Sequence, residues 1–306
     1  MKKTTAISAA VLAVLLLPGL LFPAGTSGQA MSAKDLYDRG MAAGNAGRDA
    51  EALRYFDMAI AADPLYRLAW NNKGVALMKT GRYAEAEKCF DAAIKIDKKY
   101  WEAWYGKGMA LSFIGRHRDS LRCFDKAIGQ NPAAAGPLYG KGYALQKLKK
   151  KKEAIKYLDR AVSAGPQDFV TWFNIGLEYT AAEEDDKAAA CYREALKLDP
   201  AYKDAWFNLG YIMQKTGRNR DALECYDAII KLDAGAWEAF LSKGMILMRA
   251  GSYEEAAKAL ESADALKKDN PDTLYALTSA YEKTGQKKKM EKVSKRYRAI
   301  IESRGR

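Results

Sequence analysis

The chain has 306 residues, 50 lysines and arginines against 38 acids, a formal charge of +12, and 49% hydrophobic with 29% charged residues. That balance excludes a disordered chain, and the eight prolines leave room for many uninterrupted helices. A single histidine and four cysteines offer little material for acid–base, metal or disulfide chemistry.

The first element is the segment 1–30. Lys2 and Lys3 precede an apolar run from Ser8 to Phe22, broken by Pro18 and Gly19. Small residues follow at Ala24, Gly25, Ser27, Gly28 and Ala30, and no acid occurs before Asp35. This is the layout of a secretory signal peptide, with Gly28-Gln29-Ala30 as a loose small-x-small cleavage site. The competing reading is an uncleaved membrane anchor, disfavoured because the run falls short of the roughly 20 residues a span needs. The sequence therefore predicts an exported, extracytoplasmic or cell-surface protein, with membrane association through an uncleaved N-terminus as the alternative.

From Ala33 onward the chain repeats itself. Trp70, Trp104, Trp172 and Trp206 lie 34, 68 and 34 residues apart, and Gly40, Gly74, Gly108, Gly142, Gly176, Gly210 and Gly244 recur every 34. Counting Ala33 as position 1, position 4 is aromatic or Leu, position 8 is Gly, and position 11 is bulky in most units. Those spacings draw one stripe down a helix. Gly at position 8 costs that helix roughly 1 kcal/mol, so its recurrence predicts a second helix packed against the bare backbone. Gly47, Gly81, Gly115, Gly217, Gly251 and Gly285 at position 15 end the first helix in a left-handed cap.

A second helix follows in each unit. It carries Ala or Ser at position 20, a ring or Leu at 24 (Phe56, Phe90, Phe124, Leu158, Tyr192, Tyr226, Leu260) and usually Ala at 27. Pro64, Pro132, Pro166 and Pro200 stop it before the next unit. In the last unit Thr278 replaces the glycine, and Met290, Val293, Tyr297, Ile300 and Ile301 fall on one face of a basic terminal helix. Such a helix caps an array whose outer side has no neighbour.

The residues at 4, 8, 11, 20, 24, 27 and 32 resemble the W-x2-L-G-x2-Y…A-x3-F…A…P pattern of the tetratricopeptide repeat. The resemblance implies an all-α, right-handed α-solenoid of eight stacked helix-turn-helix units over 31–306, at 33–66, 67–100, 101–134, 135–168, 169–202, 203–236, 237–270 and 271–304. It also implies a non-catalytic interaction scaffold. Position 7 departs from the family, being basic at Arg39, Lys73, Lys107, Lys141 and Lys243. Their stems are expected to cover apolar surface while their heads reach water.

Chemistry of other kinds finds no residue set. His117 occupies the slot that Tyr83 and Tyr253 fill in sister units, and is expected to pack a turn. No Walker-type loop, metal cluster or cofactor motif occurs, so neither cofactor nor enzyme activity is expected. Cys89, Cys123, Cys191 and Cys225 all sit at position 23. Units stack at about 8–10 Å, beyond disulfide reach, so free, half-buried thiols are expected.

The resemblance places first-helix positions 2, 5, 6, 9, 12 and 13 on a concave face. Position 5 supplies Asn71, Tyr105, Tyr139, Phe173 and Phe207, and position 6 supplies Asn72, Asn174 and Asn208. Position 9 supplies Met109, Tyr143, Leu177 and Tyr211. Rings, Met and amides together suit an extended peptide or partner protein. The Lys-and-Asn carboxylate clamp of chaperone-tail binders is missing from every unit. Two alternatives stay open: rings at position 5 support neighbouring helices instead, or Lys147, Lys149, Lys150, Lys151 and Lys152 form a basic surface for an anionic envelope polymer or membrane. Nucleic acid is disfavoured for an exported protein.

Overall fold

A computed structural model describes residues 31–304, and the expected signal peptide or anchor over 1–30 lies outside them. Sixteen helices follow one another in pairs: α1 (Ala33–Asn45) with α2 (Asp49–Ala62), α3 (Arg67–Lys79) with α4 (Tyr83–Ile96), and α5 (Trp101–Phe113) with α6 (His117–Gln130). Next come α7 (Ala135–Lys147) with α8 (Lys151–Ser163), α9 (Phe169–Ala181) with α10 (Asp185–Leu198), and α11 (Lys203–Lys215) with α12 (Asn219–Leu232). The array closes with α13 (Trp237–Arg249), α14 (Tyr253–Leu266), α15 (Pro271–Lys283) and α16 (Lys287–Arg304). Among the described residues there is no strand.

Each pair packs as an antiparallel hairpin, and each second helix packs on the following first helix. The glycine at position 8 is the contact point. A Cβ on Gly108 would stand 2.6 Å from Cε1 of Phe124, and one on Gly40 would meet Phe56 at the same distance. The bare backbone is therefore what lets the position-24 side chain lie flat on it. Phe90, Phe124, Leu158, Tyr192 and Leu260 are fully buried there, as is the small residue at position 20 in every unit from Ala52 to Ala256.

The turns follow the expected chemistry. Gly47, Gly81, Gly115, Gly217, Gly251 and Gly285 all have positive φ. Units four and five lack that glycine, yet Lys149 (φ 61°) and Glu183 (φ 59°) adopt the same conformation. Between units, the indole N–H of Trp70, Trp104, Trp172 and Trp206 donates back to the carbonyl of Pro64, Lys98, Pro166 and Pro200. Each tryptophan thereby ties its own helix to the linker that precedes it.

The position-7 lysines do more than reach water. Lys73, Lys107, Lys141 and Lys243 pair with Asp57, Asp91, Asp125 and Asp227, each at position 25 of the preceding unit. Their stems are mostly covered, as expected, but the heads cross the junction. Where position 7 is aliphatic, at Ile175 and Leu277, the preceding acid turns elsewhere. Asp159 accepts from Tyr179 and Lys187, and Glu261 from Tyr281 and Lys289.

The terminal helix α16 seals the end. Val293 is buried, with Met290, Tyr297 and Ile300 packed on the cluster around Leu274 and Leu277. Ile301, expected on the same face, is instead exposed. Arg296 locks the helix with a bidentate pair to Asp264 (2.7 and 2.9 Å) and a further pair to Asp269. The four cysteines are free and more buried than the sequence implies.

Candidate functional site

The first helices of successive units touch directly at α1–α3, α3–α5, α5–α7, α7–α9 and α13–α15, and no pair of second helices does so to a comparable extent. The first helices therefore take the inner side of the stack. Apart from Val170 at position 2, their exposed large apolar residues fall at positions 5, 9 and 13: Val75, Phe113, Leu177, Phe207, Tyr211, Met245 and Tyr275. Positions 5, 9 and 13 share one helical face. The array thus presents a line of apolar side chains along its inner side.

The structure divides the expected groove residues into three groups. Tyr211 (51% exposed), Phe207 and Leu177 stand out from the surface. Tyr105, Met109, Tyr143, Asn72, Asn174 and Asn208 are half-buried. Tyr139 (9%), Phe173 (8%) and Asn71 (7%) are buried, so their contacts are with the core. Packing within the unit supplies only part of that cover. A ring at position 5 lies over the ring at 24 of its own unit, as in Tyr105–Phe124 (6.3 Å) and Phe207–Tyr226 (5.8 Å). Phe173 adds an edge contact with Tyr202 at 4.9 Å. Two of the amides are also partly spent within the fold: Asn72 Nδ2 donates to the Tyr37 hydroxyl and the Leu68 carbonyl, and Asn208 Nδ2 to the Asp204 carbonyl.

A second strip runs beside these rings at the C-terminal ends of the first helices. Tyr83 stacks on Phe113 (5.0 Å, 16° between planes), Phe113 meets Tyr143 (6.4 Å), and Tyr143 meets Tyr139 and His117 (6.3 Å each). The Lys147 ammonium sits 4.9 Å from the centre of the Tyr143 ring. His117 packs a turn as expected, and burial, followed by the Lys147 charge, pushes its imidazole below the usual histidine range. Burial likewise pushes the Tyr105 phenol up to about 12. Sequence reasoning missed Tyr83 and Phe113, although both sit at positions where the repeat allows large side chains.

The five lysines of the basic segment lie together at the α7–α8 turn, and Lys147, Lys149, Lys150, Lys151 and Lys152 are all exposed. Lys150 pairs with Glu153 at 3.1 Å, and Lys151 approaches Glu183 at 3.9 Å. Lys147 belongs to both surfaces, since it ends α7 beside the aromatic strip. On the opposite side of the stack, Arg193, Leu196, Trp206, Leu209, Met213 and Cys225 line a cleft of about 550 Å³. It lies at a junction where position 7 is Leu209 and no lysine crosses. Among the described residues no cluster of acids, histidines and cysteines is disposed to hold a metal, and no helix is long and apolar enough to cross a membrane.

Helix pairs starting every 34 residues and packed in sequence define an α-solenoid built from helix-turn-helix repeats. The family profile described as tetratricopeptide repeat matches residues 37–100, 76–112, 105–169 and 214–271, and a second, described as TPR repeat, matches 176–217. The chain belongs to the tetratricopeptide repeat family, whose members are typically protein-interaction scaffolds. No curated protein matches it. Among solved structures it resembles YrrB, described as a TPR protein with an unusual peptide-binding site (24% identity, 61% of this chain and 96% of that one, TM-score 0.54). It also resembles PilF of Pseudomonas aeruginosa (17%, 68% and 94%, 0.54). A third likeness is to a chain of the APC/C hetero-tetramer Cut9-Hcn1 (15%, TM-score 0.57), where the match covers 79% of this chain but 48% of that one. At these identities the likeness shows the fold.

Proposed function

We propose that the chain is a non-catalytic scaffold that holds an extended peptide, or an extended segment of a partner protein, along the inner face of its first helices. The observation that carries this reading is the alignment of exposed apolar side chains at positions 5, 9 and 13 from Val75 to Tyr275. Contiguous exposed apolar surface marks a binding face, and side chains spaced along a rigid array suit an extended ligand. The accessible anchors are Phe113, Phe207 and Tyr211, with Tyr105, Met109, Tyr143 and Leu177 beside them. Tyr139, Phe173 and Asn71 act by holding that face in shape.

The signal-peptide-like order of residues over 1–30 supports a location outside the cytoplasm, as an exported or N-terminally anchored protein. A second reading has its own observation: five exposed lysines converge on the α7–α8 turn, a surface suited to an anionic polymer or membrane. Salt separates the two. Partner capture by the full chain should survive a rise from 50 to 500 mM salt and fall with Phe113→Ala and Tyr211→Ala if the inner face binds. Loss with salt and with Lys150→Gln/Lys151→Gln, but not with the ring substitutions, would assign function to the lysines instead.

A further inference from the structure

Position 10 of the first helix faces the preceding unit. It is exposed at Ala42, in the first described unit, and buried at Ala76, Ala110, Ala144, Ile212, Ile246 and Ala280. In unit five the same position holds Glu178. That side chain is 7% exposed, and its Oε2 is buried with no hydrogen-bond partner. A carboxyl placed where every sister unit has an aliphatic residue gives up hydration, and the fold offers that oxygen no hydrogen bond in return. Tyr192 of its own unit lies on one side, and on the other is α7, which packs directly on α9 and brings Tyr139, Tyr143 and Lys147 within reach of the carboxyl. There Tyr143, Gln146 and Lys147 share one face, and the buried Oε1 of Gln146 is a second acceptor without a partner. Burial pushes the Glu178 carboxyl above the usual range, against the pull of Lys147.

We propose that Glu178, beside Tyr143 and Gln146 at the junction of units four and five, receives a lysine or arginine side chain of the bound peptide. The inference rests on the inner-face reading above and gives that face a chemical preference. Two unpartnered acceptors suit a cation with several donors, and a guanidinium carries five. The neighbouring ring suits it too, because an aromatic face attracts a cation within about 6 Å. Lys147 already places its ammonium over the Tyr143 ring, so this face accepts positive charge. Lys147 itself is exposed, on a long flexible stem, and can yield the ring to an incoming cation. The apolar neighbours Phe113 and Met109 would hold the flanking residues of the peptide.

The test uses the full chain and two capped pentapeptides, Ac-Leu-Phe-Arg-Phe-Leu-NH2 and the same peptide with glutamine for arginine, titrated calorimetrically. The arginine peptide should bind roughly tenfold more tightly, the equivalent of one charge-assisted hydrogen bond. Glu178→Gln and Glu178→Ala should abolish that preference and leave the glutamine peptide unaffected. Glu178→Ala restores the residue that five sister units carry at this position, which keeps the variant folded. Lys147→Gln should strengthen arginine binding, an effect a purely structural glutamate would not give. If both peptides bind equally, or the preference survives both Glu178 variants, this inference falls and the inner-face reading stands. If neither peptide binds the wild-type chain, both fall.

Discussion

Replacing Lys149 and Glu183 by glycine should stabilise the array, although each substitution removes a side chain. Both residues hold the left-handed conformation that glycine holds at position 15 of the other units, with φ of 61° and 59°. The turn around Lys149 is complete: its amide donates to the Gln146 carbonyl, and the Lys150 amide to that of Leu145, both at 2.9 Å. The strain therefore comes from the Cβ and not from missing bonds. A non-glycine residue in this region costs about 1–2 kcal/mol. Glycine returns about 0.4–1 kcal/mol of that through the greater freedom of the unfolded chain. The net gain should be about 0.5–1 kcal/mol per site, and nearly additive, because the two turns belong to different units. Little else is lost. Both side chains are exposed, and the 3.9 Å approach of Lys151 to Glu183 is a surface pair worth at most about 1 kcal/mol. The assay is urea unfolding of the full chain followed by circular dichroism. In the reverse direction, Gly115→Ala introduces a Cβ with no atom within 4 Å at φ 83°, so it should lose about 1 kcal/mol by strain alone. Unchanged or lowered stability in the two glycine variants, with a harmless Gly115→Ala, would refute the reasoning.

Three further expectations follow from the packing. Gly108→Ala drives a Cβ to 2.6 Å from the fully buried Phe124 and should cost about 1–3 kcal/mol, whereas Gly44→Ala, with 3.7 Å to Ala52, should be neutral or gain up to about 1 kcal/mol. Denaturation of the two variants side by side checks the contrast. The junction pair Lys141–Asp125 has one mostly covered partner, so a double-mutant cycle should give a coupling of about 0.5–1 kcal/mol that shrinks in salt; zero coupling would show that the pair is incidental. Burial pushes the Cys123 thiol up to about 11 and those of Cys191 and Cys225 to about 12. The folded state thus keeps these protons to higher pH than the unfolded state. Stability should be intact below about pH 8.5 and fall through pH 11, with all four thiols silent to a thiol reagent until the chain unfolds.

Most of the fold was legible because two periods coincide in the sequence: 34 residues between units, and the helical spacing within them. Glycine at position 8 announced a helix packed on bare backbone, and the ring at 24 is what lies there. The site was less legible, because its surface depends on neighbouring units that a single repeat does not display. Rings at position 5 look alike in sequence, yet Tyr139 and Phe173 are buried while Phe207 stays accessible. Which of them emerges depends on how the adjacent hairpin is set. The lysines of position 7 could be read as covered stems, but their partners at position 25 lie in the preceding unit. The recurrence of Asp57, Asp91, Asp125 and Asp227 at one position was the available signal. Glu178 was visible too, as the acid in a column that is otherwise aliphatic, but that column gains meaning only once α7 is seen to cover it.

If the protein works as proposed, its partner lies on the first helices. A photo-reactive phenylalanine analogue placed at Phe113 and Tyr211, and in separate variants at Lys156 and Lys258 on the exposed side of second helices, tests it directly in the source cell. Binding along the first helices should give covalent partner adducts from positions 113 and 211, diminished by Tyr143→Ala, and none from 156 or 258. Adducts from 156 and 258 with none from the first helices would contradict it.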